Sequence, residues 1–410
     1  MIRRVAYLSL HSCPLLQPGV GDAGGMNVYI KELSRAMAER GIDVVVFTRR
    51  SDEHTPDVVE VLPGFRVVHI DAGPRSRLPI RDLPGLVGEF AEATLSWIDQ
   101  NNESFDLIHS HYWLSGWAGV LLKEKLGLPL ANSFHTLGRI KDLTRRPDDA
   151  PEGVIRTLTE EEVIARSDCV VASTPHEFED LVEHYSADPA RLCTSPPGIR
   201  HDLFKPGDKE EARHWTGLNG HPIVLFVGRI QPLKGVDVAV AALARLSSSA
   251  APAHLVVIGG PSGSNGPTEL ARLKQLAEDL GIAERVHFIP PIAREHLVSF
   301  YQAADAVIVP SRSETFGLVA AEAQSCGVPV IAAAVGGLPY VIEDGKSGIM
   351  IDGHDPDDYA IAIAKILGDH AFAAQLSAGA VAHSEGFSWD ATVSRFLELY
   401  DGISQQSVTE

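Results

Sequence analysis

Short apolar runs separated by helix-like stretches recur along the whole chain, and no other feature restricts the fold as strongly. In the first half the runs are RVAYLSL, VVVFT, RVVHI, LIHSH, PLANSF and CVVAS. In the second they are PIVLFVG, HLVVIGG, VHFIP, AVIVP, PVIAA and GIMI. Continuous Val/Ile runs of this length indicate parallel strands covered by helices on both faces. The stretches between them have helical spacing: NVYIKELSRAMAERG places apolar or small residues at that period and stops at Gly41. Such alternation predicts doubly wound α/β layers. Ser195–Glu210, SPPGIRHDLFKPGDKE, breaks the rhythm with Pro, Gly and charge and reads as a linker. Two Rossmann-like domains facing a central cleft are therefore expected, residues 1–200 and 201–385. An amphipathic helix within 386–410 should return to the first domain ahead of a polar tail. With 410 residues, each domain has enough chain to bury its own core.

In open α/β sheets, ligands bind beyond the carboxyl ends of the strands, so the loops after strands are the informative ones. After the first strand comes HSCPLLQPGVGDAGGMNVY, in which Gly24 and Gly25 open a helix. Amides at a helix start attract phosphate, against the simpler reading of a turn. No GxGxxG fingerprint is present, so a nicotinamide dehydrogenase is not supported. LIHSHYWLSG ends a strand with His109, His111 and Tyr112, rings that suit a sugar site, with zinc as the competing reading of the histidines. His135 and Thr136 follow another strand, where the histidine is either a structural hydrogen-bonder or a ligand group. In the second half, FVGRIQPLKG places Arg229 and Lys234 between Gly228 and Gly235. Two cations there fit a diphosphate, against the alternative of two solvated charges. IGGPSG and AVGGLP put further glycines after strands.

SRSETFGLVAAEAQ, Ser311–Gln324, follows the strand AVIVP and holds Glu314 and Glu322. Glu314 reads either as a first-turn acid favoured by the helix dipole or as a site residue. Glu322 sits among Ala320, Ala321 and Ala323, and a buried glutamate needs a polar partner, which a ligand is expected to bring.

The formal net charge of −19 disfavours nucleic-acid or anionic-membrane binding through a basic surface. Cys13, Cys169, Cys193 and Cys326 show no zinc spacing and no CxxC, as expected for reduced thiols in a cytoplasmic protein. MIRRVAYLSL is too short for a signal sequence and reads as the first strand, and no run approaches a membrane span.

The elements GDAGGMNVYIKEL, SHYWLSG, HTLGRIKD, FVGRIQPLKG, SRSETFGLVAAEAQSCGVPVIA and GGLPYVIEDGKSG, in this order, resemble the retaining GT-B glycosyltransferases of family 4 over almost the whole chain. PLLQPGVGDAGGMNVY, DLIHSHYWLSG and GGPSG are most similar to the branch that moves N-acetylglucosamine from UDP to 1D-myo-inositol 3-phosphate in mycothiol biosynthesis. The resemblance implies that Glu322 binds the ribose of UDP and Glu314 faces the donor sugar. Amides around Phe316, Gly317 and Leu318 would meet sugar and phosphate oxygens. It implies that Arg229 and Lys234, with Gly228 and the Gly25 amide, neutralise the departing diphosphate without a metal or other cofactor, and that His135 contacts the donor sugar. It places Asn27, Tyr112, Thr136 and Arg156 on the acceptor, three of them on its phosphate. The family's phosphate-binding lysine falls where this chain has Ile80, with Arg75, Arg77 or Arg81 as replacements. Sucrose-phosphate synthases share the framework and give an alternative acceptor. A UDP-sugar 2-epimerase would need no acceptor set, and a non-catalytic sugar sensor would not need the paired cations. The family analogy adds a homodimer.

Overall fold

A computed structural model describes residues 2–146, 150–246, 252–263 and 266–406. Two sheets form. The first contains β1 (Arg4–Leu8), β2 (Asp43–Arg49), β3 (Val58–Leu62), β4 (Phe65–Ile70), β5 (Leu107–His111), β6 (Leu130–Ser133), β7 (Cys169–Ala172) and β8 (Leu192–Thr194). Their spatial order is β3-β4-β2-β1-β5-β6-β7-β8, all parallel except β3 against β4. The second contains β9 (Ile223–Val227), β10 (His254–Ile258), β11 (Val286–Ile289), β12 (Ala306–Val309), β13 (Val330–Ala333) and β14 (Gly348–Ile351) in the order β11-β10-β9-β12-β13-β14, all parallel. The twelve runs read from the sequence are strands. The two it did not show are β3, half exposed and antiparallel, and the three-residue β8; both lie at sheet edges, where burial no longer enforces an apolar run.

Each sheet is packed on both faces, so the central strands carry almost no exposed residue. Cys169 and Cys193 come side by side on the neighbouring strands β7 and β8, with sulfurs 3.1 Å apart and both thiols free. Among the described residues, no helix is long and apolar enough to cross a membrane.

The last helix, Trp389–Gln406, lies on the first domain. Val393, Phe396 and Tyr400 are buried in one apolar cluster with Tyr7, Ile30 and Met37. The Tyr400 hydroxyl sits 3.1 Å from Tyr7 Oη and 2.6 Å from His109 Nδ1. The two chain passages between the domains run side by side: Ile199 bridges to Ser388, and the Ile199 amide donates to the Phe387 carbonyl at 3.0 Å. Their backbones touch at Gly198, where a Cβ would lie 2.1 Å from the Trp389 nitrogen.

Candidate active site

The loops at the carboxyl ends of β1, β5, β6, β9, β12 and β13 meet between the sheets. After β9, Arg229 Nη1 lies 3.5 Å from the Asp22 carbonyl of the first domain and 3.5 Å from Ser262 Oγ. Its guanidinium presses on Gly24: a Cβ there would stand 3.1 Å from Nε. Burial pulls the Arg229 pKa below the ordinary arginine value, with Asp22 and Glu314 acting the other way. Lys234 Nζ holds Glu314 Oε2 at 2.6 Å, and Ser311 Oγ donates to the same oxygen at 3.2 Å.

Glu314 is not a helix-start acid. The helix begins at Leu318 with Gly317 at its cap, and Glu314 stands in the loop before it. That loop rests on the turn after β13. The Gly337 amide donates to the Glu314 carbonyl at 2.8 Å, and a Cβ on Gly336, which has φ +54°, would lie 2.0 Å from the same oxygen. Phe316 is buried edge-on to Phe387, and Leu318 reaches across the cleft to within 3.5 Å of the Cβ position of Gly25. Helix starts at Gly25 and at Leu318 thus face each other, each with its first amides outside the helical ladder.

Glu322, 4% exposed, already has partners within the chain: Arg294 Nη2 on Oε1 and the Tyr301 hydroxyl on Oε2 at 3.1 Å. The partner that burial demands is therefore supplied by the chain itself, ahead of any ligand. Both partners come from the helix Arg294–Ala303, which no local pattern around Glu322 reveals.

On the first domain, Tyr112, Thr136 and Arg156 come together. Arg156 Cζ lies 5.1 Å from the centre of the Tyr112 ring, and Nη2 donates to the Thr136 carbonyl at 2.9 Å and to its Oγ1 at 3.1 Å. Glu160 and Glu152 hold the same guanidinium at 2.8 and 3.1 Å. Burial works against its charge, but Tyr112, Glu160 and Glu152 outweigh it and raise the pKa above the ordinary arginine value. Asn27, expected on the acceptor, is 1% exposed and directed elsewhere. Its Nδ2 donates to Ser12 Oγ and the Cys13 carbonyl, both at 2.7 Å, while Oδ1 accepts from the Gly24 amide at 2.9 Å. It braces the loop that carries Gly24 and Gly25. Ile80 packs on the first-domain core. Arg75 is paired with Asp71 at 2.7 Å, Arg81 lies 3.7 Å from Asp82, and Arg77 Nη1 reaches within 3.4 Å of the Cβ position of Gly21.

The histidines divide. His109 is fully buried, with Tyr400 Oη at 2.6 Å and Ser133 Oγ at 2.9 Å, so it joins the core to the last helix and does not face a sugar. His111 Nδ1 lies 3.0 Å from His135 Nε2. His135 has φ +62°, and its carbonyl accepts a 2.6 Å hydrogen bond from Thr315 Oγ1 of the second domain. Burial pushes His135 down to about 3, keeping the ring neutral. Among the described residues, no three His, Cys, Asp or Glu side chains are grouped to hold a metal ion. His11 was missed in the sequence. Its ring lies 4.4 Å from that of Tyr112, tilted by 41°, and burial, then the charges of Arg229, His135 and Arg156, push it down to about 3. Its position just after the first strand was the available signal. A cavity of about 70 Å³ lined by Thr136, Leu137, Glu177, Glu314, Thr315 and Gly337 connects the two sides.

Two doubly wound domains with cations on one wall of the cleft and a Tyr–Thr–Arg cluster on the other define a GT-B glycosyltransferase. Residues 24–198 match the model of the "Glycosyl transferase 4-like domain" and residues 208–382 that of "Glycosyl transferases group 1". The chain belongs to the family 4 glycosyltransferases and is a hexosyltransferase. It is similar to proteins named D-inositol 3-phosphate glycosyltransferase from Xylanimonas cellulosilytica (47% identical, covering 97% of this chain and 96% of that one) and Actinosynnema mirum (46%, 97% of both). Among solved structures it resembles a sucrose-phosphate synthase from Thermosynechococcus elongatus, with 32% identity, a TM-score of 0.91 and coverage of 98% and 99% of the two chains. Anabaena HepE in complex with UDP and glucose shares the fold at 19% identity and a TM-score of 0.77, covering 98% of this chain and all (100%) of that one.

Proposed function

We propose that the chain transfers N-acetylglucosamine from UDP-N-acetylglucosamine to 1D-myo-inositol 3-phosphate with retention at the anomeric carbon. The observation that carries this reading is the cluster of Tyr112, Thr136 and Arg156 next to His135, whose carbonyl is hydrogen-bonded to Thr315, the neighbour of Glu314. In this reading Arg156 is the arginine that meets the acceptor phosphate, beside the residues assigned to the donor sugar. The names of relatives 44–47% identical over nearly the whole chain support the acceptor. Of the three replacements for the family's lysine, Arg75 pairs with Asp71 and Arg81 lies beside Asp82, which favours Arg77, the one that leans on the Gly21 loop.

In this reading the bond between the anomeric carbon and the β-phosphate oxygen breaks, its electron pair leaving with UDP, as the acceptor oxygen attacks from the same face and a donor phosphate oxygen takes the acceptor proton. Arg229, Lys234 and the amides at Gly25 and Leu318 stabilise the diphosphate charge as it develops, the work a metal does in other transferases. Neutral His135 contacts the sugar and is not a nucleophile. Glu322 accepts hydrogen bonds from the ribose diol.

Likeness to sucrose-phosphate synthase at a TM-score of 0.91 favours a second reading, in which the same cluster holds another sugar phosphate. UDP release from UDP-N-acetylglucosamine, measured with inositol 3-phosphate, fructose 6-phosphate and free inositol, separates the two. Turnover restricted to inositol 3-phosphate supports the first, and turnover with fructose 6-phosphate alone replaces it with the second.

A further inference from the structure

Arg294 stands where three parts of the molecule meet. Its Nη2 pairs with Glu322 of the second domain. Nη1 pairs at 2.9 Å with Glu32, on the first-domain helix Gly25–Glu39. Its Cζ lies 4.9 Å from the ring centre of Phe204, a fully buried residue of the interdomain linker. Glu32 and Glu322 are each 4% exposed. Glu32 is held in turn by Arg35 Nε at 3.0 Å, and Glu322 by the Tyr301 hydroxyl at 3.1 Å. Two buried carboxylates from different domains thus share one guanidinium at the hinge.

We infer that Arg294, and Glu32 across the domain boundary, are positioning residues for the nucleotide site: they aim the Glu322 carboxylate and make its grip on a ribose depend on the domains being closed. The inference rests on the reading of Glu322 as the ribose ligand. A carboxylate has about four acceptor positions, so Arg294 on Oε1 and Tyr301 on Oε2 leave room for the two hydroxyls of a cis-diol. The planar guanidinium fork serves both acids at once, which a lysine could not do with the same geometry. When the domains part, Glu32 leaves, water takes the freed guanidinium edge, and Arg294 is held against Glu322 from one side only. Ribose binding and closure are then linked, and each favours the other.

The test compares binding of UDP and of 2′,3′-dideoxy-UDP by calorimetry to the full chain and to Glu32→Gln, Arg294→Met, Arg294→Lys and the Glu32→Gln/Arg294→Met double variant. Glu32 belongs to the other domain, yet Glu32→Gln should weaken UDP by about fivefold or more and shrink the preference for UDP over the dideoxy compound. Arg294→Met should do the same to a greater extent, Arg294→Lys should recover only part of it, and the double variant should match Arg294→Met alone. Unchanged UDP affinity in Glu32→Gln, tighter binding in Arg294→Met, or effects that simply multiply would overturn the coupling. If the unaltered chain does not distinguish UDP from dideoxy-UDP, the ribose reading itself has failed and the inference falls with it. Glu32→Gln is nearly isosteric, so it remains informative if Arg294→Met does not fold.

Discussion

Lys234 and Glu314 satisfy each other at 2.6 Å, each about one-fifth exposed, and the proposed reaction assigns Lys234 to the charge of the departing diphosphate. Lys234→Ala should lower kcat by about 100-fold or more while UDP affinity changes far less, read by steady-state kinetics beside calorimetry. Equal losses in both would reduce Lys234 to a binding residue. His109 makes a different prediction. Burial pushes it down to about 3, below the usual histidine value of about 6.5 in an unfolded chain. Its contribution to stability is complete above the unfolded pKa and is lost as pH falls from there toward the folded one. Thermal midpoints should therefore decline below about pH 6.5, with His109 accounting for up to about 1.4 kcal/mol per pH unit. His109→Gln should flatten that slope, whatever it does to stability at neutral pH. A slope identical to that of the unaltered chain would show that other groups set it.

At the scale of elements, the last helix is fastened to the first domain by one hydroxyl as well as by packing. Tyr400→Phe leaves the ring in the cluster but removes the partner of His109 Nδ1 and of Tyr7 Oη, both fully buried. It should cost about 1–3 kcal/mol in chemical denaturation, the toll of leaving buried polar groups unmatched. Gly198→Ala acts where the two chain passages cross. Its Cβ would overlap the Trp389 backbone at 2.1 Å, so the backbone must shift, at a cost of about 1–3 kcal/mol. A variant as stable as the parent would mean that the crossing is looser than the contact implies.

For the whole molecule, closure is written into single hydrogen bonds that span the cleft, and Thr315 to the His135 carbonyl is the plainest. Thr315→Val keeps the shape and removes the donor. It should reduce kcat/KM by about three- to tenfold, the share of one such bond, and increase the radius of gyration measured by small-angle X-ray scattering with UDP bound. No change in either would place the closing energy elsewhere, with the Glu32–Arg294–Glu322 chain as the next contact to remove.

The doubly wound fold and the loops holding Arg229, Lys234, His135 and Glu314 were legible because they depend on local matters: apolar period, glycine placement and the position of a loop after a strand. The convergence of Tyr112, Thr136 and Arg156 was reached through family likeness, since nothing in their spacing brings them together. Tertiary structure alone decided what the polar side chains are for. His109, a ring at a strand end in the sequence, belongs to Tyr400, 291 residues away, and Asn27 belongs to the loop beneath it. Glu322, which a ligand was expected to complete, is partnered by Arg294, while Arg294 also reaches Glu32, 262 residues distant. A sequence shows where a carboxylate or an imidazole will be buried, because burial follows from its neighbours along the chain. Which group satisfies it is settled only when distant segments are folded against each other, because hydrogen bonds and ion pairs act over a few ångströms of space.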